Sequence, residues 1–121
     1  MEEWNKGLMA HLGIRIVEAT PDRVVGELEV RDELKTTTAA VHGGTLMALA
    51  DTVGAVGTAA LGFKTATLES KTNFFAAATG GRIRAEATPL HKGKRSHVWQ
   101  TRVTDESGRL LSLTIQTQMI L

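Results

Sequence analysis

AAVHGGTLMALADTVGAVGTAAL, residues 39–61, is almost entirely apolar or small, yet it opens on His42, Gly43 and Gly44 and carries one carboxylate, Asp51, at its middle. Leu46, Leu49, Ala50, Val53, Val56 and Ala60 recur at helical spacing on one broad face. The stretch therefore predicts a helix that starts at His42 or the glycines and runs to about Leu61, with Gly62 as its C-cap. Gly54, Gly57 and the many alanines are poor in helix propensity or packing volume. Such residues in a helix point to the close approach of other backbones. A lone acid inside the most apolar helix of the chain is the feature that a functional reading has to explain.

Outward from this helix the pattern changes. Residues 3–12 predict a short helix with Trp4, Leu8 and Leu12 as an apolar stripe. GIRIVEAT places Ile14 and Ile16 against Arg15, RVVGELEV places Val24, Gly26, Leu28 and Val30 against Glu27 and Glu29, and TPDR between them is a turn. These make a strand hairpin, and RDELKTTTAAV reads as its polar connection to the helix. Beyond the helix, TATLESKTNFFAA, GRIRAEATPLHKG, SHVWQTRVTD and RLLSLTIQTQMIL read as four strands, the last with Leu113, Ile115, Thr117 and Met119 on one side. The order is strand, strand, helix, then four strands, without the recurring βαβ unit of a doubly wound fold. One long helix with a largely antiparallel sheet curled around it is the expected architecture, an α+β domain spanning residues 1–121.

Composition bounds the function. A chain of 121 residues is expected to be one domain, with a core small enough to lean on a partner chain. The formal net charge of +1 gives no electrostatic case for nucleic acid or an anionic membrane surface. The absence of cysteine excludes disulfides and any thiolate nucleophile or metal ligand, and four scattered histidines lack the paired spacing of a metal site. No metal or cofactor is expected. The N-terminus does not read as a signal peptide and Asp51 breaks the longest apolar run, so the expected compartment is the cytoplasm.

VHGGTLMALADT, TATLESKTNFF and HKGKRSHVWQTRVTDESGRLLS together resemble the hotdog-fold acyl-CoA thioesterases, in the branch that includes the phenylacetate-pathway thioesterase. The resemblance covers roughly residues 8–120, and its signature is His42-Gly43-Gly44 opening a helix that carries an acid eight residues after the first glycine. It implies hydrolysis of an acyl-CoA to a carboxylic acid and free coenzyme A, in a site formed by a homodimer that assembles into a homotetramer. A non-catalytic acyl-CoA-binding module and an enoyl-CoA hydratase of the same fold stay open.

The chemistry can be argued beside the resemblance. Attack on a thioester carbonyl makes an oxyanion, which needs fixed donors. A helix N-terminus supplies free N–H groups and a positive dipole end, and glycine lets a ligand come close. Gly43 is the expected donor. Asp51, the expected general base or nucleophile, is about 12 Å further along the helix at 1.5 Å per residue, too far to meet the same carbonyl within one chain. The resemblance resolves this by pairing the acid of one subunit with the helix start of the other. His42 is expected to orient the loop or touch the thioester. Gly44, Glu69 and Thr36 are expected to contact substrate, with Lys92, Lys94 and Arg95 meeting the coenzyme A phosphates. Thr36 stands where relatives carry Asn or Gln, and Ala55 where they carry Ser or Thr four residues after the acid.

Overall fold

The computed structural model describes residues 5–121. Helix α1 (Gly7–Leu12) leads into strands β1 (Arg15–Thr20) and β2 (Arg23–Glu29), then helix α2 (Gly43–Ala59), and then β3 (Thr65–Phe74), β4 (Arg82–Lys92), β5 (Ser96–Thr104) and β6 (Leu110–Ile120). The six strands form one antiparallel sheet in the order β1-β2-β4-β5-β6-β3. Helix α2 lies across its concave face and touches every strand. This is the expected order of elements, with one helix wrapped by a curved sheet.

The wrap is possible because α2 is thin where the sheet comes closest. A β-carbon on Gly57 would collide with the Trp99 ring, and one on Gly54 would collide with the side-chain amide of Gln116. In the opposite sense, Val53 presses into Gly26 of β2, where a β-carbon would lie 2.6 Å from its methyl. The neighbours that these glycines admit are side chains rather than the backbones expected from sequence. Leu46, Leu49, Ala50, Val53 and Val56 are buried as the helical spacing predicts, and they join Leu28, Ile83, Trp99 and Leu111 in one core. Ala60 is exposed and caps the helix, so α2 ends before Leu61 and Gly62 is not its C-cap. Gly62 instead takes the positive φ of 90° that turns the chain toward β3.

One further expectation changes, in α1, and β6 shows which of its two sides faces the helix. In α1, Leu8 is exposed while Met9 and Leu12 pack on the core, and Trp4 lies outside the described residues. On β6, Leu113, Ile115 and Thr117 share the outer face, and the side buried beneath α2 is Ser112, Thr114, Gln116 and Gln118. The concave wall at this end of the sheet is thus polar. The outer face of β1, β2 and β4 carries ion pairs, among them Arg23 with Glu18 and Glu86, and Arg82 with Glu29. At the β5–β6 turn Asp105 accepts from the Ser107 and Arg109 N–H groups and the Ser107 hydroxyl. That hydroxyl, above all, holds its carboxyl below the ordinary carboxylate range.

At the far end of α2, Thr58 Oγ1 accepts from the Trp99 indole N–H at 3.0 Å and lies 3.0 Å from His97 Nδ1. The His97 ring is buried and packed edge-on against Phe63. Burial first, then the charges of Lys92 and His91, push the His97 pKa below its ordinary 6.5. Since the folded-state value is lowered, the contribution of His97 to stability is complete above the ordinary value and is lost as pH falls below it. Thermal melts should show the chain less stable at pH 5 than at pH 7.5, and His97→Gln should flatten that dependence. An unchanged slope in the variant would remove His97 as its cause.

Candidate functional site

The N-terminus of α2 is built so that one donor is left over. His42 is its N-cap: Nδ1 accepts from the Gly44 N–H at 2.7 Å, and its carbonyl accepts from the N–H groups of Thr45 and Leu46 at 2.9 and 3.3 Å. Of the first four N–H groups of the helix, only that of Gly43 has no partner among the described residues. Gly44, expected to contact substrate, has its N–H engaged by His42. The His42 Nδ1 is correspondingly occupied as an acceptor, which leaves the imidazole acting as a cap rather than as a base at that atom.

Gly43 borders an apolar cavity of about 380 Å³ lined by Val41, Leu46, Phe74, Phe75 and Ala76–Ala78. A β-carbon on Gly43 would sit 3.2 Å from the Phe74 ring, so the absence of a side chain keeps both the ring contact and the N–H accessible. The approach from Thr36 to Val41 is held by its own contacts. Thr36 Oγ1 bonds Thr38 Oγ1 at 2.6 Å and accepts from the Thr38 N–H at 3.1 Å. The Thr36 hydroxyl thus braces the loop before the helix.

Asp51 lies on the half-buried flank of α2 that faces β3, outside the core. Its Oδ1 accepts from Thr67 Oγ1 of β3 at 2.6 Å and from Gln116 Nε2 of β6 at 3.1 Å. The Thr67 hydroxyl also donates toward Gln118 Oε1 at 2.7 Å, so its single proton is shared between the carboxylate and the amide oxygen. Gln118 Oε1 also receives the second hydrogen of the Gln116 amide at 2.8 Å, while Gln118 Nε2 donates to Thr65 Oγ1 at 2.9 Å. Asp51 Oδ2 has no partner among the described residues. The carboxylate is therefore gripped by one oxygen and open at the other.

Sequence reasoning missed Thr67, Gln116 and Gln118. The signal was the pair of amides at alternate positions of the last strand, on the side opposite its apolar residues. Glu69 is not brought to Asp51 in the chain. A bulge between Thr67 and Glu69 puts Glu69 opposite Thr117 on the outer face, exposed, and returns Ser70 to the helix side opposite Gln116. Lys92, Lys94 and Arg95 sit at the β4–β5 hairpin, at the end of the sheet remote from Gly43. Lys92 pairs with Asp22 at 3.1 Å, whereas Lys94 and Arg95 are exposed without an ion pair among the described residues.

The family model described as Thioesterase superfamily matches residues 38–112, which include both Gly43 and Asp51. The chain belongs to the thioesterase superfamily. It is similar to the 1,4-dihydroxy-2-naphthoyl-CoA hydrolases of Listeria monocytogenes, 31% identical with 89% of this chain and 90% of that protein covered, and of Escherichia coli, 31% identical with 94% and 86% covered. Among solved structures, a thioesterase from Staphylococcus aureus superposes with a TM-score of 0.91 at 29% identity, covering 93% of this chain and 97% of that one. The phenylacetic acid degradation protein PaaI from Thermus thermophilus superposes at 0.88 and 28% identity, covering 93% and 97%. The fold of this thioesterase is accordingly the hotdog fold that the sequence resemblance implied. No helix among the described residues is long and apolar enough to cross a membrane.

Loss of the cap should be measurable on its own. His42→Ala removes the acceptor of the Gly44 N–H and should lower unfolding free energy by about 0.5–2 kcal/mol, the usual cost of an N-cap. His42→Asn should recover most of it in urea titrations, and equal stabilities for all three proteins would show that the cap bond contributes nothing.

Proposed function

We propose that the chain hydrolyses an acyl-CoA thioester to a carboxylic acid and free coenzyme A in a site shared between two copies. The observation that carries this reading is a pair of groups at the two ends of one stretch of helix that have no partner among the described residues: the Gly43 N–H beside an apolar cavity, and Asp51 Oδ2. The first is the kind of donor that an oxyanion requires. The second is a carboxylate oxygen free to take a proton from water or to attack carbon directly.

The sheet supports the way in which they would meet. β3 is an edge strand ten residues long, and an unpaired edge of that length is a template for another strand. At one end Phe74 packs on Gly43; nearer the other, Thr67 bonds Asp51. A twofold axis through the middle of β3 would pair it antiparallel with its own copy. That operation sets the Phe74–Gly43 end of one subunit alongside the Thr67–Asp51 end of its partner. The thioester carbonyl would then rest on Gly43 of one chain with Asp51 of the other facing its carbon, and the acyl group would occupy the cavity beside Phe74. The β4–β5 hairpin lies at the Thr65 end, since Arg95 O accepts from the Ile120 N–H and Ile120 is opposite Thr65. The same operation carries Lys94 and Arg95 toward the partner's Gly43, where they would meet the nucleotide end of the substrate. Lys92, held by Asp22, serves the hairpin instead.

Asp51→Asn should lower kcat by roughly 10² to 10⁴, the range for a positioned acid or base, without unfolding the chain. If His42→Ala is also nearly inactive, refolding the two variants together should restore about a quarter of wild-type activity. Half the dimers are then mixed, and one of their two sites carries neither lesion. No recovery after verified exchange of chains would show that each site is built within one chain. Separately, Lys94→Ala with Arg95→Ala should raise KM for a coenzyme A thioester, fade in effect at high salt, and leave a pantetheine thioester unaffected. Equal losses on both substrates would assign the pair to the fold.

A further inference from the structure

We infer that Gln116, with Thr67, is a positioning residue that fixes which oxygen of Asp51 reacts, and that Gly54 and Gln118 exist in this chain to hold Gln116 in that task. The inference rests on the reading of Asp51 as the reacting carboxylate and adds the residues that aim it.

Gln116 is fully buried, and its Oε1 has no hydrogen-bond partner among the described residues. Reversing the amide would give Oε1 a neighbour, but only by pointing it at Asp51 Oδ1, the Asp51 carbonyl and Gln118 Oε1, which are all acceptors. Gln118 is held by its neighbour: reversal would set its amide nitrogen against Gln116 Nε2, 2.8 Å away, and its oxygen against Thr65 Oγ1, whose own proton goes to the Met119 carbonyl at 2.9 Å. In this arrangement the chain accepts a buried orphan oxygen and delivers two hydrogens from Gln116, one to Asp51 and one to Gln118.

Gly54 completes the device. It lies one position short of a helical turn beyond Asp51, and the Gln116 amide occupies the space that a β-carbon there would need. The hydroxyl of Thr67 arrives from β3 on the same Oδ1. Both donors on one oxygen prevent rotation of the carboxylate and leave Oδ2 directed away from the network. The helix offers no such help, because the residue one turn beyond Asp51 is Ala55. The hydroxyl and the amide reach the acid from the sheet.

The test is a kinetic comparison in the full-length protein, with Asp51→Asn as the reference. Gln116→Met keeps the volume and removes the donor; Thr67→Val does the same for the hydroxyl. Each should lower kcat about ten- to a hundredfold, the effect of a misplaced reacting group, with KM within about twofold and with no fall in melting temperature. Thr67→Ser should restore most of the rate. Gly54→Ala, which displaces the amide, should reproduce the Gln116→Met loss, and the double variant should fall no further than the worse single one. Wild-type kcat in both Gln116→Met and Thr67→Val, beside an inactive Asp51→Asn, would overturn the inference alone. So would losses matched by lower melting temperatures and not repaired by serine. An active Asp51→Asn would overturn the reading on which it rests. Should Gln116→Met fail to fold, the Thr67 valine and serine pair decides.

Discussion

The structure depends on how closely α2 can lie against the concave sheet. A helix with ordinary side chains on this side would stand off by the depth of those side chains, and the sheet would have nothing to curl around. Gly57 lets the indole of Trp99 lie on the helix backbone, and Gly54 does the same for Gln116. The first contact fastens the helix to β5 through dispersion and an indole N–H bond to Thr58. The second brings β6 within hydrogen-bond range of Asp51. Core packing and the Asp51 contact are thus consequences of the same proximity: a side chain at position 57 would push out the Trp99 ring, and one at position 54 the Gln116 amide.

Much of this was legible in the sequence. The period of Leu46, Leu49, Val53 and Val56 marks a helix with one buried face, and alternation marks the strands, because both periodicities are direct results of backbone geometry. His42 and Gly43 were legible because a helix start has a fixed chemistry. What was not legible involved pairing. The bulge that turns Glu69 outward depends on how β3 aligns with β6, and nothing local to TLESK records it. The polar wall of Gln116 and Gln118 was hidden for a related reason. Leu113, Ile115 and Met119 make the other side of β6 look like the core side, while in the chain the amides face α2. The pairing of Lys92 with Asp22 was likewise not recorded locally, because the two lie 70 residues apart in the chain.

The polarity of the concave wall near β6 also divides the interior by function. Around Leu28, Val53 and Ile83 the core is aliphatic and fully buried, and its stability comes from removing apolar surface from water. Toward β3 the same layer becomes hydroxyls and amides: Thr72 bonds Thr114, Gln118 bonds Thr65, and Gln116 reaches the acid. A network of this kind orients its members strictly, since each group accepts few partners. The aliphatic side supplies the stability that permits a less favourable, more directional arrangement on the other.

The bulge in β3 has one further consequence. It lies between Thr67 and Glu69, toward the Thr65 end of the strand, so the free edge is a kinked row of donors and acceptors rather than a straight one. A flat strand from an unrelated protein would stay in step with such an edge only along its straight portion, from Glu69 to Phe74. The irregularity therefore shortens the run of edge that a foreign strand can use and makes it a poorer template for open-ended aggregation.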